Sequence, residues 1–190
     1  MSKLPVAEIR KRFESSTEFN EIFDAFQQAI DQRLDDIELY RLLFWNHTLT
    51  PPELCLFGEK LAKDFPALAF DAYMWLANVF EVTYAMYDNY ELALEYYRKA
   101  AECRMDDAAP YNEAAECYEP DLSIPPLSHL VDFLKQGVGR VKAPKTLYER
   151  LAYFYDLMGN DEMSMYFRRK LEESQHPPEA PPSSPPPPGQ

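Results

Sequence analysis

The sequence predicts an all-α fold of sequential helices packed as antiparallel hairpins. Three observations carry this. Apolar residues recur every three or four positions in segment after segment, and no window shows a period of two. The connections between these segments are short, so neighbouring helices are expected to lie side by side. Glycine occurs only 5 times in 190 residues, too rarely for the turns of an all-β chain or for a Gly-rich phosphate loop.

Each helix has its own signal. Pro5 opens a short first helix carrying Val6, Ile9 and Phe13. Thr17 is placed to cap a second, with Phe19, Ile22, Phe23, Phe26 and Ile30 along one stripe. A third is expected from about Asp36 to Asn46. Thr50-Pro51-Pro52-Glu53 is the sharpest start in the chain: threonine caps, proline fits the first turn, and glutamate three residues on bonds back. That fourth helix carries Leu54, Phe57, Leu61 and Phe65 and stops by Pro66. Helices follow at about 67–86, 90–104 and 108–118. Ser123-Ile124-Pro125-Pro126 reads as a second proline-opened start, leading to Leu127, Leu130, Phe133 and Leu134. The next spans about 145–158, and Gly159-Asn160 turns the chain into the last, with Met163, Tyr166, Phe167 and Leu171.

Four tyrosines, Tyr40, Tyr73, Tyr111 and Tyr148, head the same pattern at intervals of 33, 38 and 37 residues. Three and four residues after each stand Leu43-Phe44, Leu76-Ala77, Ala114-Ala115 and Leu151-Ala152. Seven residues after each comes a ring: His47, Phe80, Tyr118 and Tyr155. Offsets of three, four and seven make one helical stripe, in which small residues let helices approach and rings fill the flanks.

These repeats resemble the tetratricopeptide repeat (TPR) family. Tyr73-Met74-Trp75-Leu76-Ala77-Asn78-Val79-Phe80 and Tyr148 through Tyr155 match the first half of the family pattern, and Asn89-Tyr90 through Ala100 matches the second. Gly159-Asn160-Asp161 sits where the family turns, and Ser164 takes a small-residue place. The departures are also plain. Tyr73 to Ala93 is four residues longer than the family spacing. The repeat from Tyr111 has Glu119-Pro120 through Pro126 in place of the turn, and that from Tyr40 matches only in its first helix. The resemblance implies a right-handed TPR-like array over residues 36–174, preceded by an N-terminal helical pair at 1–35 and followed by a Pro-rich disordered tail at 175–190.

What the resemblance implies about function is binding of a peptide on the face lined by the first helix of each repeat. A subclass of the family clamps C-terminal carboxylates with two asparagines, two lysines and an arginine. Here Asn78 and Arg150 match, but Met74, Glu113 and Thr146 occupy the other places, so carboxylate-tail binding is not expected. The inferred face instead holds Asp71, Asn78, Glu81, Asn112, Glu116, Glu119, Glu149, Arg150 and Asp156. It reads either as an acidic groove for a basic or amphipathic segment or as the solvated face of an acidic protein. Tyr111-Asn112-Glu113-Ala114-Ala115-Glu116-Cys117 is also similar to the third repeat of class II type III secretion chaperones, which are small acidic TPR proteins.

Charge points the same way. The net charge of −13 works against nucleic-acid backbones and anionic membranes and favours basic protein partners. No stretch reaches the roughly 18 apolar residues of a membrane span. The N-terminus turns charged before any apolar leader develops, so the expected location is cytoplasmic. Cys55, Cys103 and Cys117 are too widely spaced for a disulfide framework or zinc site and are expected as buried free thiols. His47, His129 and His176 add no ligand cluster, so no metal or cofactor is expected. No P-loop, Rossmann, HExxH or GxSxG pattern is present, and neither Cys103 nor Cys117 has an adjacent histidine. The chain is expected not to be an enzyme. Eight of the 17 prolines lie in 177–188, where Pro178-x-x-Pro181 and Pro182-x-x-Pro185 leave open an inert tail or a docking motif.

Overall fold

The structure, a computed structural model, describes residues 3–83 and 87–175. The Pro-rich tail from 176, its PxxP motifs, His176 and Tyr84 lie outside the described residues. Within them the fold is all-α. Ten helices follow in chain order: α1 (Val6–Ser15), α2 (Phe19–Asp31), α3 (Ile37–Phe44), α4 (Pro51–Asp64), α5 (Ala69–Thr83), α6 (Tyr87–Cys103), α7 (Ala109–Glu116), α8 (Leu127–Val138), α9 (Lys145–Leu157) and α10 (Asp161–Gln175). A 3₁₀ turn at Pro66–Leu68 leads into α5.

Local chemistry accounts for most of the boundaries. The Glu53 carboxylate accepts from both the backbone N–H and the hydroxyl of Thr50, each at 2.7 Å, closing the expected box at the start of α4. Asp36 caps α3 by accepting the Glu38 N–H at 3.0 Å. Gly159 has φ +68°, and the Asn160 amide oxygen receives the Met163 N–H at 3.1 Å, so one turn both ends α9 and starts α10.

Three boundaries differ from the sequence reading. Glu18, not Thr17, holds the cap position of α2, and it makes no side-chain cap bond. Ser16 orders that entry instead, accepting from the Glu18 N–H and donating to Glu21 at 2.8 Å. Ser123 does not open α8. It sits in the left-handed region with φ 55°, and the helix begins at Leu127. Helix α3 ends at Phe44, so His47 leaves the aromatic stripe and is exposed. Buried Asn46 works there in its place, its amide donating to the carbonyls of Phe13 and Ser16 at 2.9 and 3.0 Å.

One hydrophobic cluster runs through the chain from Ile9 on α1 to Phe167 on α10. Helix α5 packs most extensively on α6 and α9 on α10, while α3 contacts both α1 and α5, and α7 contacts α9. The small residues at the repeat positions, Ala77, Ala115 and Ala152, are all buried. Glycine allows the closest approaches. A Cβ on Gly58 would meet a Leu76 methyl at 2.1 Å, and one on Gly137 would lie 2.7 Å from the Tyr111 ring. Among the described residues no helix is long and apolar enough to cross a membrane.

Candidate functional site

Helices α7 and α9 build the site from corresponding positions. Tyr111 and Leu147 are buried, which turns the polar residues flanking them outward. Asn112 and Glu116 from α7 and Thr146, Glu149, Arg150 and Tyr153 from α9 line a cavity of about 410 Å³. The Arg150 guanidinium donates to a Glu116 carboxylate oxygen at 2.8 Å across the two helices. Two carboxylates and one guanidinium leave this cavity one net negative charge. Exposed carboxylates of this kind attract a cation weakly and over a range that salt shortens.

The remaining sequence-predicted residues are placed elsewhere. Asn78 and Glu81 point to the junction of α5, α6 and α7, where the buried Tyr97 hydroxyl reaches both, at 3.0 Å from Asn78 Oδ1 and 2.8 Å from Glu81 Oε2. Burial pushes the Tyr97 hydroxyl well above its ordinary pKa, with the Cys117 thiol and Glu81 adding to the rise. Glu113 joins this cluster. Burial raises its carboxyl above the usual range, Glu81, Glu116 and Asp107 add to that, and a hydrogen bond with Asn78 opposes it.

Asp71 pairs with Arg104 at 3.4 Å, and that guanidinium lies 3.8 Å over the Phe70 ring. Asp156 accepts a hydrogen bond from Arg168 on α10, and the neighbouring Ser164 hydroxyl and Arg168 hold its carboxyl below the usual range. It therefore does not join Glu116 and Glu149 at the cavity. Glu119 lies beyond α7, exposed, with its backbone N–H given to the Ile124 carbonyl at 2.8 Å. Asn78 and Arg150, the two residues that matched the carboxylate clamp, both bond other side chains of the protein, Asn78 with buried Tyr97 and Arg150 with exposed Glu116.

The cysteines correct a simpler expectation. Cys117 is buried and Cys55 half-buried, but Cys103 is exposed. Burial raises all three thiols above their ordinary pKa, so none is set up as a thiolate nucleophile. Among the described residues no group of three or more His, Cys, Asp or Glu side chains could hold a metal ion.

Sequence reasoning passed over Tyr153, which is 45% exposed beside Arg150. It stands five residues after Tyr148, the same offset that separates Glu116 from Tyr111, and that offset was the signal for it. The chain matches no protein-family model, no curated protein and no solved structure.

Proposed function

We propose that the chain is a non-catalytic adaptor or scaffold that binds a basic or amphipathic peptide segment of a protein partner on the face shared by α7 and α9. One observation carries this reading: four predicted residues, Asn112, Glu116, Glu149 and Arg150, line a single cavity between these two helices. In this reading the helices form a right-handed TPR-like array of antiparallel hairpins with α3, α5, α7 and α9 as the first helices. The extensive packing of α5 on α6 and α9 on α10 supports that arrangement, as does the contact of α3 with α5 and of α7 with α9. The net charge of −13 supports a basic partner over nucleic acid or an anionic membrane.

The test uses a fluorescent amphipathic peptide of lysine, leucine and serine, with a glutamate version as control. The lysine peptide is expected to bind more tightly than the glutamate peptide. Its affinity should fall as salt shortens the Debye length below about 8 Å. Glu116→Lys combined with Glu149→Lys should remove binding and leave the circular dichroism spectrum unchanged. Equal binding of both peptides, or binding that survives the double reversal, would overturn the acidic face.

A second reading, a small acidic chaperone holding an apolar secretion client, draws on a different surface. Val138, Met163, Tyr166 and Phe167 line an open, largely apolar groove of about 390 Å³ on α8 and α10. A salt-insensitive complex that tolerates the double reversal would favour that reading.

A further inference from the structure

Two cavities share one register of the repeat. Asn112 and Glu116 stand one and five residues after Tyr111, and Glu149, Arg150 and Tyr153 stand one, two and five after Tyr148. A second cavity, of about 280 Å³, is lined by Arg41, Leu42 and Trp45, which are one, two and five after Tyr40, together with Glu14 from α1. Equal offsets from a buried residue select the same face of a helix. The helices between the cavities are connected. The Arg41 guanidinium of α3 lies 5.4 Å over the Trp75 ring of α5, and α5 and α7 both pack on α6, whose Tyr97 hydroxyl reaches Asn78 and Glu81 of α5.

The chemistry changes along this row. At the α3 end, Glu14 and Arg41 balance in charge, and the Trp45 ring is 42% exposed beside Leu42. At the α7–α9 end the lining side chains carry net negative charge, with Glu116 and Glu149 exposed. A solvent-facing tryptophan in a concave site offers the large apolar contact area that anchors protein interfaces.

We propose that this row takes one protein segment with a bulky aromatic or aliphatic residue at one end and lysine or arginine at the other. The bulky residue seats against Trp45 and Leu42, and the cation meets Glu116 and Glu149. Helix α3 packs on α5 and α7 on α9, steps of 8–10 Å each, and α5 reaches α7 through α6, so the two ends lie at least roughly 24–30 Å apart. An extended segment covers that span in about eight or nine residues. This inference rests on the reading of the α7–α9 face as a peptide site and adds the partner's second anchor.

The test pans a phage-displayed library of random dodecapeptides on the full chain, then measures synthetic copies of the enriched sequences by fluorescence anisotropy. Enriched peptides are expected to carry an aromatic or large aliphatic residue well separated from a basic cluster. Trp45→Ala should weaken them at least tenfold, and Trp45→Phe should restore most of the loss. Trp45 is 42% exposed, so both variants should keep the helical signal and stay folded at the assay temperature, with Trp45→Ala lowering the melting temperature more than Trp45→Phe. Basic peptides indifferent to Trp45→Ala would overturn this inference and leave the acidic site standing. Enriched peptides that lack lysine and arginine, or no enrichment at all, would overturn both.

Discussion

The pairs α5/α6 and α7/α8 solve the same packing problem differently. In α5/α6, the most extensive helix contact, both helices carry buried small residues, Ala77 on one and Ala93, Ala100 and Ala101 on the other. Rings close around them, with Tyr96 at 5.8 Å from Tyr73 and 5.7 Å from Phe80 between centroids. The polar tips find partners: Tyr97 reaches Asn78 and Glu81, and Tyr73 reaches Glu59. In α7/α8 a single ring takes the centre. Tyr111 lies 4.5 Å from Phe133 and rests on Gly137. Its hydroxyl and the Asn112 amide oxygen are buried without a hydrogen-bond partner among the described residues. The connection is longer too, running from 117 to 126 through Ser123 in the left-handed region. Packing and polar satisfaction thus coincide in α5/α6, whereas α7/α8 leaves polar groups unsatisfied beside the cavity.

The largest effects should come from filling the close approaches. Ala77→Leu adds three heavy atoms at a fully buried site and should cost about 1–3 kcal/mol by overpacking. Gly137→Ala brings a Cβ to 2.7–2.9 Å from the Tyr111 ring and a Leu147 methyl. That cost, about 1–3 kcal/mol, is partly offset by the gain of about 1 kcal/mol from replacing glycine in a helix. Denaturant midpoints check both. Unchanged midpoints would show that these helices do not meet at the small residues.

A smaller effect should separate the two pairs by sign. Tyr97→Phe removes a hydroxyl that bonds Asn78 and Glu81 and should cost about 1–2 kcal/mol. Tyr111→Phe removes a hydroxyl without a partner and should be neutral or stabilising by up to about 1 kcal/mol. Equal losses from both changes in chemical denaturation would erase the distinction drawn between the pairs.

The smallest effect concerns Glu113, where the pairs meet. Burial raises its folded-state pKa above the unfolded value, so the folded chain holds this proton more tightly. Native stability from this group is therefore gained as pH falls through the interval between the two values and is lost as pH rises through it. Glu113→Gln should be slightly more stable than the parent chain near neutral pH, and the advantage should shrink on acidification. A constant advantage across that range would remove the burial argument.

How much of this was legible in the sequence depended on whether the signal was local. Thr50 and Glu53 announced α4 because both halves of the box lie within four residues. Thr17 and Ser123 looked equally placed, yet Ser16 and the left-handed turn at Ser123 decided those starts through geometry that composition does not encode. Glu116 and Glu149 were legible as positions on the face lined by the first helices, and Arg150 as a match to the carboxylate clamp, and all three line the cavity. Asp156 has the right offset too, but Arg168 on the next helix claims it. Trp45 carries no charge to mark it, and its signal is an offset from Tyr40 that matches that of Tyr153 from Tyr148.

Mapping the bound peptide by NMR tests the central claim most directly. Titrating the lysine–leucine–serine peptide into the isotope-labelled chain should shift the amide signals of Asn112, Glu116, Thr146, Glu149, Arg150 and Tyr153 most, with the shifts lost in the Glu116→Lys and Glu149→Lys double variant. If the largest shifts fall instead on α6, α8 and α10 while α7 and α9 stay unperturbed, the peptide site is on another face and the account is wrong.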